Sequence, residues 1–268
     1  MNTLNNRLMK ILLIGDVVGK IGRKTIVDIL PNLRKKLSLD LVIANVENIA
    51  HGCGVTEQTL SEVSPFIDFM TLGDHAFDKK KDLEDVFKNY NIIHPYNLEN
   101  NINSGYRLLE IGDKKFLFIN IIGKVFMKKK DSSFCPFAAF DDIYEKFKNK
   151  DPFIIVDFHA EATSEKNAFF LYAKDRANII FGTHTHIPTA DLRVENNCFF
   201  VSDVGMVGSY DSVIGSSYDS VIKSFLTGEH FKNDIPESGK TIFNSVFIEI
   251  DENYLIKDFK RVDIKSLV

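Results

Sequence analysis

Cysteine is scarce in this chain. Cys53, Cys135 and Cys198 are its only three in 268 residues, too few and too scattered for a disulfide framework, which points to a reducing compartment. An excess of positive charge is also missing. The formal net charge is −4, whereas a protein built to coat DNA or RNA is usually basic; a nucleotide-sized ligand at a local metal site is not excluded. Long apolar runs are missing too. Met1 to Lys10 is polar, and the apolar piece that follows is interrupted by Lys10 and Asp16, so there is no secretory h-region and no spanning helix. Internal repeats and linker-like segments are not found. These absences predict one soluble, cytoplasmic domain over residues 1–268 with no membrane partner. The remaining composition, 44% hydrophobic and 26% charged, is ordinary for a globular protein.

The apolar segments set the architecture. Met9 to Ile14 reads as a buried strand closed by Gly15-Asp16, a helix follows over about Arg23 to Leu37, and Leu39 to Asn45 is the next strand. Pro31 is expected to kink or split that helix. Strand, helix, strand favours a right-handed crossover and a parallel pair. A helix beginning near Thr56 ends before Pro65, then come a strand over Phe69–Leu72, a charged helix over Lys79–Asn89, a short strand over Ile92–Tyr96 and an Asn-rich loop through Gly105. Tyr106–Ile111 and Lys115–Ile122 read as a hairpin, Phe137–Lys150 as helix, Phe153–Phe158 as strand, Ser164–Ala173 as helix and Ala177–Phe181 as a buried strand. Hairpins over Ala190–Val194 with Cys198–Ser202, and over Thr241–Ile250 with Tyr254–Val262, complete the pattern. The Ser/Gly/Lys-rich stretch over about 208–239, around a helix at Tyr218–Leu226, is left open as a lid or edge subdomain. The expected class is α/β, two packed mixed sheets flanked by helices.

The chemistry gathers where these strands end. Gly182-Thr183-His184-Thr185-His186 follows one strand, and two imidazoles so spaced can turn toward one point. Asp16, Glu47-Asn48, Asp74-His75 and His159 each follow another. Taken singly, each has a bland reading as helix cap, polar loop, turn or core histidine. Five coincidences at five strand ends are better explained by one crevice at the sheet edge. Acids, amide oxygens and imidazoles in this mixture suit Fe, Mn or Zn, not Ca²⁺ or a thiolate site. They are too many for one ion with an open position and about right for two ions sharing a carboxylate, the usual clamp for in-line displacement at phosphorus.

Gly15-Asp16, Gly73-Asp74-His75, the lone His159 and the Gly-Thr-His-Thr-His run resemble the signature of the metallophosphoesterase (calcineurin-like) superfamily. Within it, Ile14 to Gly19, Glu47 to Gly52, Asp157 to Lys166, Thr189-Ala190-Asp191 and Asp203 to Met206 resemble the YmdB-like family, and the resemblance runs from about Met9 to the last strand. It implies a four-layer α/β/β/α sandwich and a metal-dependent phosphodiesterase acting on substrates such as 2′,3′-cyclic nucleotides. Carried over by position, Asp16, Glu47, Asn48 and His186 would hold one ion, and Glu47, Asp74, His159 and His184 the other. The ions would be divalent or mixed-valence, Fe or Mn ahead of Zn. A hydroxide they supply would attack phosphorus while His75, the non-ligand catalytic histidine, protonates the leaving oxygen. Asp74 and Asp157 are the candidates to orient neighbouring imidazoles.

Two departures stand out. The superfamily's Asp-X-His opening is Asp16-Val17-Val18 here, with Asn48 in place of the missing histidine. The family's Gly-Asn-His is Gly73-Asp74-His75, which adds a negative charge that holds a cation firmly but repels an anionic phosphate and raises the pKa of a metal-bound water. The alternatives are therefore a metal- and nucleotide-binding regulator with little turnover, or a phosphomonoesterase or phosphoprotein phosphatase. Residues that bind the substrate are not readable. RNA ends as substrate and self-association are left open, as are a place for His51 at the mouth of the site against a surface loop, and a phosphate-steering role for Lys128-Lys129-Lys130 against a solvated one. Cys53 reads as a small loop residue.

Overall fold

The computed structural model describes residues 8–79, 83–98, 105–112, 114–229, 231 and 234–268. Residues 80–82 of the expected charged helix, 99–104 of the Asn-rich loop and Asp113 of the hairpin turn lie outside the described residues. So do 230 and 232–233 of the 208–239 stretch.

In chain order, β1 (Met9–Ile14), β2 (Asp16–Val17), α1 (Gly19–Leu37), β3 (Leu41–Asn45), α2 (Glu57–Val63), β4 (Phe69–Thr71), α3 (Leu83–Asn89) and β5 (Ile92–Ile93) form the first half. They are followed by β6 (Tyr106–Ile111), β7 (Lys114–Ile122), α4 (Pro136–Phe147), β8 (Phe153–His159), α5 (Thr163–Ala173) and β9 (Ile179–Thr183). The last elements are β10 (Arg193–Glu195), β11 (Cys198–Val201), β12 (Met206–Ser209), α6 (Tyr218–Thr227), β13 (Lys240–Phe243), β14 (Ser245–Ile250), β15 (Ile256–Arg261) and β16 (Ile264–Leu267).

Two six-stranded sheets, ordered β15-β14-β1-β3-β4-β5 and β10-β11-β9-β8-β7-β6, pack face to face. Strand alternation builds the layers. Ile11, Leu13, Ile43 and Phe69 of the first sheet meet Phe118, Ile155, Phe181 and Val201 of the second in a shared core. Leu12, Ile14 and Val42 face the other way, onto Ile26, Leu30 and Leu60 of α1 and α2. Leu117, Ile119 and Val156 likewise face Phe140 of α4 and Phe169 of α5. The result is α/β/β/α.

The sequence did not reveal a third sheet of four short strands, β16-β13-β12-β2. The expected strand Thr241–Ile250 is interrupted at Asn244, whose Oδ1 accepts from Met206 N (3.2 Å) and whose Nδ2 donates to Asp263 Oδ1 (3.0 Å). Gly15 interrupts the first strand at the same level, and Gly15 N donates to Asn244 O at 3.2 Å. The two chains thus step together from the large sheet into the small one. The closing hairpin is therefore two ladders, β14 with β15 and β13 with β16.

Helix α1 starts at Gly19, four residues before the expected Arg23, and passes Pro31 unbroken. Proline removes the bond to Val27 O, but Val27 is 43% exposed and water can satisfy that carbonyl. A Cβ on Gly22 would lie 2.5 Å from Val207 O, so glycine lets α1 press onto β12. The β10–β11 turn has Asn196 and Asn197 at φ 50 and 62, the left-handed pair a two-residue hairpin selects. Within 208–239, α6 buries no residue. The chain beyond it is tied down: Lys20 Nζ lies 2.7 Å from Glu237 Oε2. Among the described residues no helix is long and apolar enough to cross a membrane.

Candidate metal centre

The parallel strands β1, β3 and β4 of one sheet and β8 and β9 of the other deliver their C-terminal ends to one place. Asp16 follows the break at Gly15, Glu47 and Asn48 follow β3, Asp74 and His75 follow β4, His159 ends β8, and His184 and His186 follow β9. Glu47, Asp74, His159 and His184 each offer a ligand atom, and these atoms lie within 4.8 Å of one another. His159 Nε2 is 3.1 Å from Glu47 Oε1 and 3.3 Å from Asp74 Oδ1. His184 Nδ1 is 3.0 Å from His159 Nε2. A second group adjoins it: His186 Nε2 is 3.8 Å from Asp16 Oδ1 and 3.3 Å from Asn48 Nδ2, which is itself 3.3 Å from Glu47 Oε1. Glu47 belongs to both groups.

The electrostatics show a site built around positive charge. Burial pushes Asp16 up to about 7, with Glu47 and Asp203 adding to the rise against His186 and His159. Its Oδ1 is fully buried and has no hydrogen-bond partner among the described residues. Burial opposes a charged His159, yet Glu47, Asp74 and Asp16 hold its pKa well above the usual imidazole value. Burial also works against the Glu47 and Asp74 carboxylates, and the surrounding histidines outweigh it, holding both below their ordinary values. His184 is pushed down to about 4 by burial and by His159. The same carboxylates that favour a positive charge on His159 would favour a bound cation beside it. Gly73 keeps that space open, since a Cβ there would lie 2.3 Å from His159 Nε2 and 2.4 Å from Glu47 Oε2. An orphaned buried carboxylate oxygen, a cradle that a single methyl would fill, and a mixed O/N donor set all fit a borderline divalent metal.

A supporting layer fixes the imidazoles. Thr183 Oγ1 donates to Asp157 Oδ1 at 2.7 Å and so must accept from His159 Nδ1 at 2.9 Å. That leaves Nε2 of His159 as the unprotonated, cluster-facing nitrogen of the neutral ring. Asp157 therefore orients His159 through Thr183, not directly, and itself takes bonds from Asn45 Nδ2 (3.1 Å) and Thr71 Oγ1. Asp74, the other expected orienting group, is inside the cluster instead. His184 Nε2 lies 3.1 Å from Glu161 Oε2, and His186 Nδ1 donates to Ile214 O at 2.7 Å. Buried Lys166 donates to Thr183 O (2.9 Å) and Asp203 Oδ2 (2.8 Å), and Asp203 Oδ2 also accepts from Thr185 N and Oγ1. This pair pins the loop that carries both histidines.

Thr183, Glu161, Lys166 and Asp203 escaped the reading of roles, although they lie inside or beside the motifs. Ile214 is 28 residues from His186 and acts through its backbone, so no side-chain signal marks it.

His75 stands beside the cluster, half-buried, its backbone N donating to Glu47 Oε2 at 3.1 Å. Its Nδ1 is 2.6 Å from Asp78 Oδ2. Burial lowers its pKa, but Glu47, Asp74 and Asp78 together hold it above the ordinary value. Lys129 of the basic run comes within 3.8 Å of Asp78 Oδ1. His51 is exposed on the turn after Asn48, and Cys53 is half-buried. A cleft of about 500 Å³ bordered by Asp40, Asp68 and Asn91 opens at the opposite, N-terminal ends of the strands and holds none of these groups.

The family model for YmdB-like proteins matches residues 12–262. The 2′,3′-cyclic-nucleotide 2′-phosphodiesterase of Bacillus subtilis (strain 168) is 37% identical over 247 residues, 91% of this chain and 92% of that one. A crystal structure described as a novel phosphatase of Mycoplasma pneumoniae superposes with a TM-score of 0.90 at 33% identity, covering 97% of this chain and 94% of its own. A hypothetical protein from Thermus thermophilus superposes with a TM-score of 0.87 at 32% identity, covering 96% of this chain and 100% of its own.

Proposed function

Since the chain belongs to the YmdB-like family, we propose that it is a metal-dependent phosphodiesterase that opens 2′,3′-cyclic nucleotides, with His75 as the general acid. The observation that carries this reading is the double cluster sharing Glu47, with a carboxylate-held histidine at its edge. Asp16, Glu47, Asn48 and His186 would hold one ion and Glu47, Asp74, His159 and His184 a second, of Fe, Mn or Zn. When bound, such ions supply Lewis-acid polarisation of a phosphoryl group and lower the pKa of water.

The chain's own residues do the rest. His75 Nδ1–H donates to the Asp78 carboxylate, so Nε2 is the nitrogen free to deliver a proton. As a water oxygen bonds to phosphorus and releases one proton to solvent, one phosphorus–ribose oxygen bond breaks, and His75 Nε2–H protonates the departing oxygen, to be reprotonated from solvent afterwards. The backbone bond from His75 to Glu47 keeps that acid in register with the cluster. RNA ends carrying the same cyclic phosphate present the same reacting group. The scarcity of cysteine supports a cytoplasmic setting.

Comparing 2′,3′-cyclic AMP, a bis-aryl phosphate and a mono-aryl phosphate tests the class. Diester turnover well above monoester turnover is expected, and the reverse would make the protein a phosphomonoesterase. One observation favours a second reading. Asp74 makes the cluster tri-carboxylate with Asp16 and Glu47, and that charge opposes an anionic substrate. A metal- and nucleotide-binding regulator would bind 2′,3′-cyclic AMP tightly and turn it over negligibly.

A further inference from the structure

Phe126 is 84% exposed in a segment that is otherwise firmly held. Its backbone has φ 63, a left-handed conformation that bulky side chains avoid. Met127 N donates to Lys124 O at 3.3 Å, which makes Phe126 the third residue of a tight turn. Positive φ at that position selects glycine or asparagine. Two costs therefore fall on one residue, a strained backbone and a solvated phenyl ring, and nothing among the described residues offsets either.

The turn is rigid on both sides. Gly123 N donates to His159 O at 2.9 Å, and the amides of Lys124 and Val125 donate to the Glu165 carboxylate at 2.9 to 3.1 Å. Met127, next to Phe126, is 2% exposed and packs with Leu98 and Ile122. Lys129 reaches Asp78, the partner of His75. The loop thus runs from the backbone of cluster residue His159 to the His75–Asp78 pair, and Phe126 is its outermost point.

We propose that Phe126 is the platform on which the substrate's nucleobase stacks, a specificity-determining contact. This inference rests on the phosphodiesterase reading above. A phosphate held at the cluster leaves its base extending beyond the ribose, and a ring whose backbone is already fixed by its neighbours needs less further ordering to stack on it. Stacking on an aromatic face is tolerant of base identity, because every base has a π-face, and is worth about 10- to 100-fold per base. The platform therefore distinguishes nucleotides from base-free phosphodiesters more than it distinguishes one base from another.

The test compares kcat/KM for 2′,3′-cyclic AMP, 2′,3′-cyclic UMP and the cyclic 2,3-phosphate of methyl riboside, which has no base. Wild type should favour the nucleotides by about 10- to 100-fold. Phe126→Gly should bring that ratio close to one, with the loss falling on KM, and Phe126→Trp should keep it. Glycine suits φ 63, so Phe126→Gly should melt no lower than wild type, which separates lost stacking from lost folding. Equal kcat/KM for all three substrates in wild type, or an unchanged ratio in Phe126→Gly, overturns the platform while leaving the phosphodiesterase reading intact. Failure of metal-loaded wild type to hydrolyse any of the three overturns both.

Discussion

Replacing Thr183 by valine deletes one hydroxyl from the layer behind the cluster and changes little else in shape. In the native structure that oxygen accepts from His159 Nδ1 at 2.9 Å and donates to Asp157 Oδ1 at 2.7 Å. Valine leaves the fully buried His159 Nδ1–H without an acceptor and takes one donor from Asp157, whose pKa burial already raises against the pull of His159. An unsatisfied buried polar group costs about 1–3 kcal/mol, and in domains of about 150–250 residues each kcal/mol moves the melting temperature by about 2–4 °C. Metal binding is expected to suffer more specifically. Outer-layer changes of this kind weaken metal affinity by about 10- to 100-fold, or about 1.4–2.7 kcal/mol. The assay is calorimetric titration of chelator-stripped protein with Mn²⁺, beside thermal unfolding. Thr183→Ser, which keeps the hydroxyl, should recover most of the affinity. A folded Thr183→Val protein that binds Mn²⁺ as tightly as wild type would refute the relay from Asp157 to His159.

His75→Ala should retain its metal while kcat falls by about 10²- to 10⁴-fold, the usual worth of a positioned acid; loss of metal with activity would place His75 among the ligands instead. Asp78→Asn removes one of the carboxylates that hold the His75 pKa up against burial, so the alkaline limb of the kcat–pH profile should move to lower pH, and an unmoved limb would contradict the dyad. Asp74→Asn should bind divalent metal more weakly and turn over substrate faster, measured by metal titration and steady-state kinetics, whereas slower turnover would show that the extra carboxylate helps the chemistry. Metal-free protein should lose stability as pH rises above about 6.5: His159 and His75 have folded pKa values raised above 6.5, and a raised group contributes stability that is full below its unfolded value and is lost as pH rises through its folded value; Asp16, raised from 3.8 to about 7, loses most of its contribution before that window. His184, lowered to about 4, acts in the opposite direction only below its unfolded value of 6.5, and melting curves from pH 6.5 to 8.5 that stay flat or rise would contradict this balance.

The strand ends were legible because the chain punctuates them. Apolar runs stop at Gly15-Asp16, Gly73-Asp74 and Gly182-Thr183, and the residues after each stop are the ones the fold gathers. Two packed mixed sheets flanked by helices followed from the order of strands and helices, and the four-layer α/β/β/α arrangement from the family resemblance. The third sheet was hidden because its strands are short, Asp16–Val17 and Met206–Ser209 among them, and pair only through contacts distant in sequence. Asn244 looks like one more strand residue until its two amide bonds are seen. The supporting layer was hidden for a related reason. A threonine such as Thr183 signals nothing by type, and Ile214 contributes a carbonyl that any residue could supply.

The central claim is that seven residues from five strand ends hold two metal ions for phosphodiester hydrolysis. Metal per chain should be counted in protein purified without chelator, together with its turnover of 2′,3′-cyclic AMP, in wild type and in Asp16→Ala and His159→Ala. Close to two ions with turnover in wild type, and fewer ions with turnover lost in each variant, is the predicted result. Folded wild-type protein that takes up no divalent metal, or variants that keep the full complement, would contradict it.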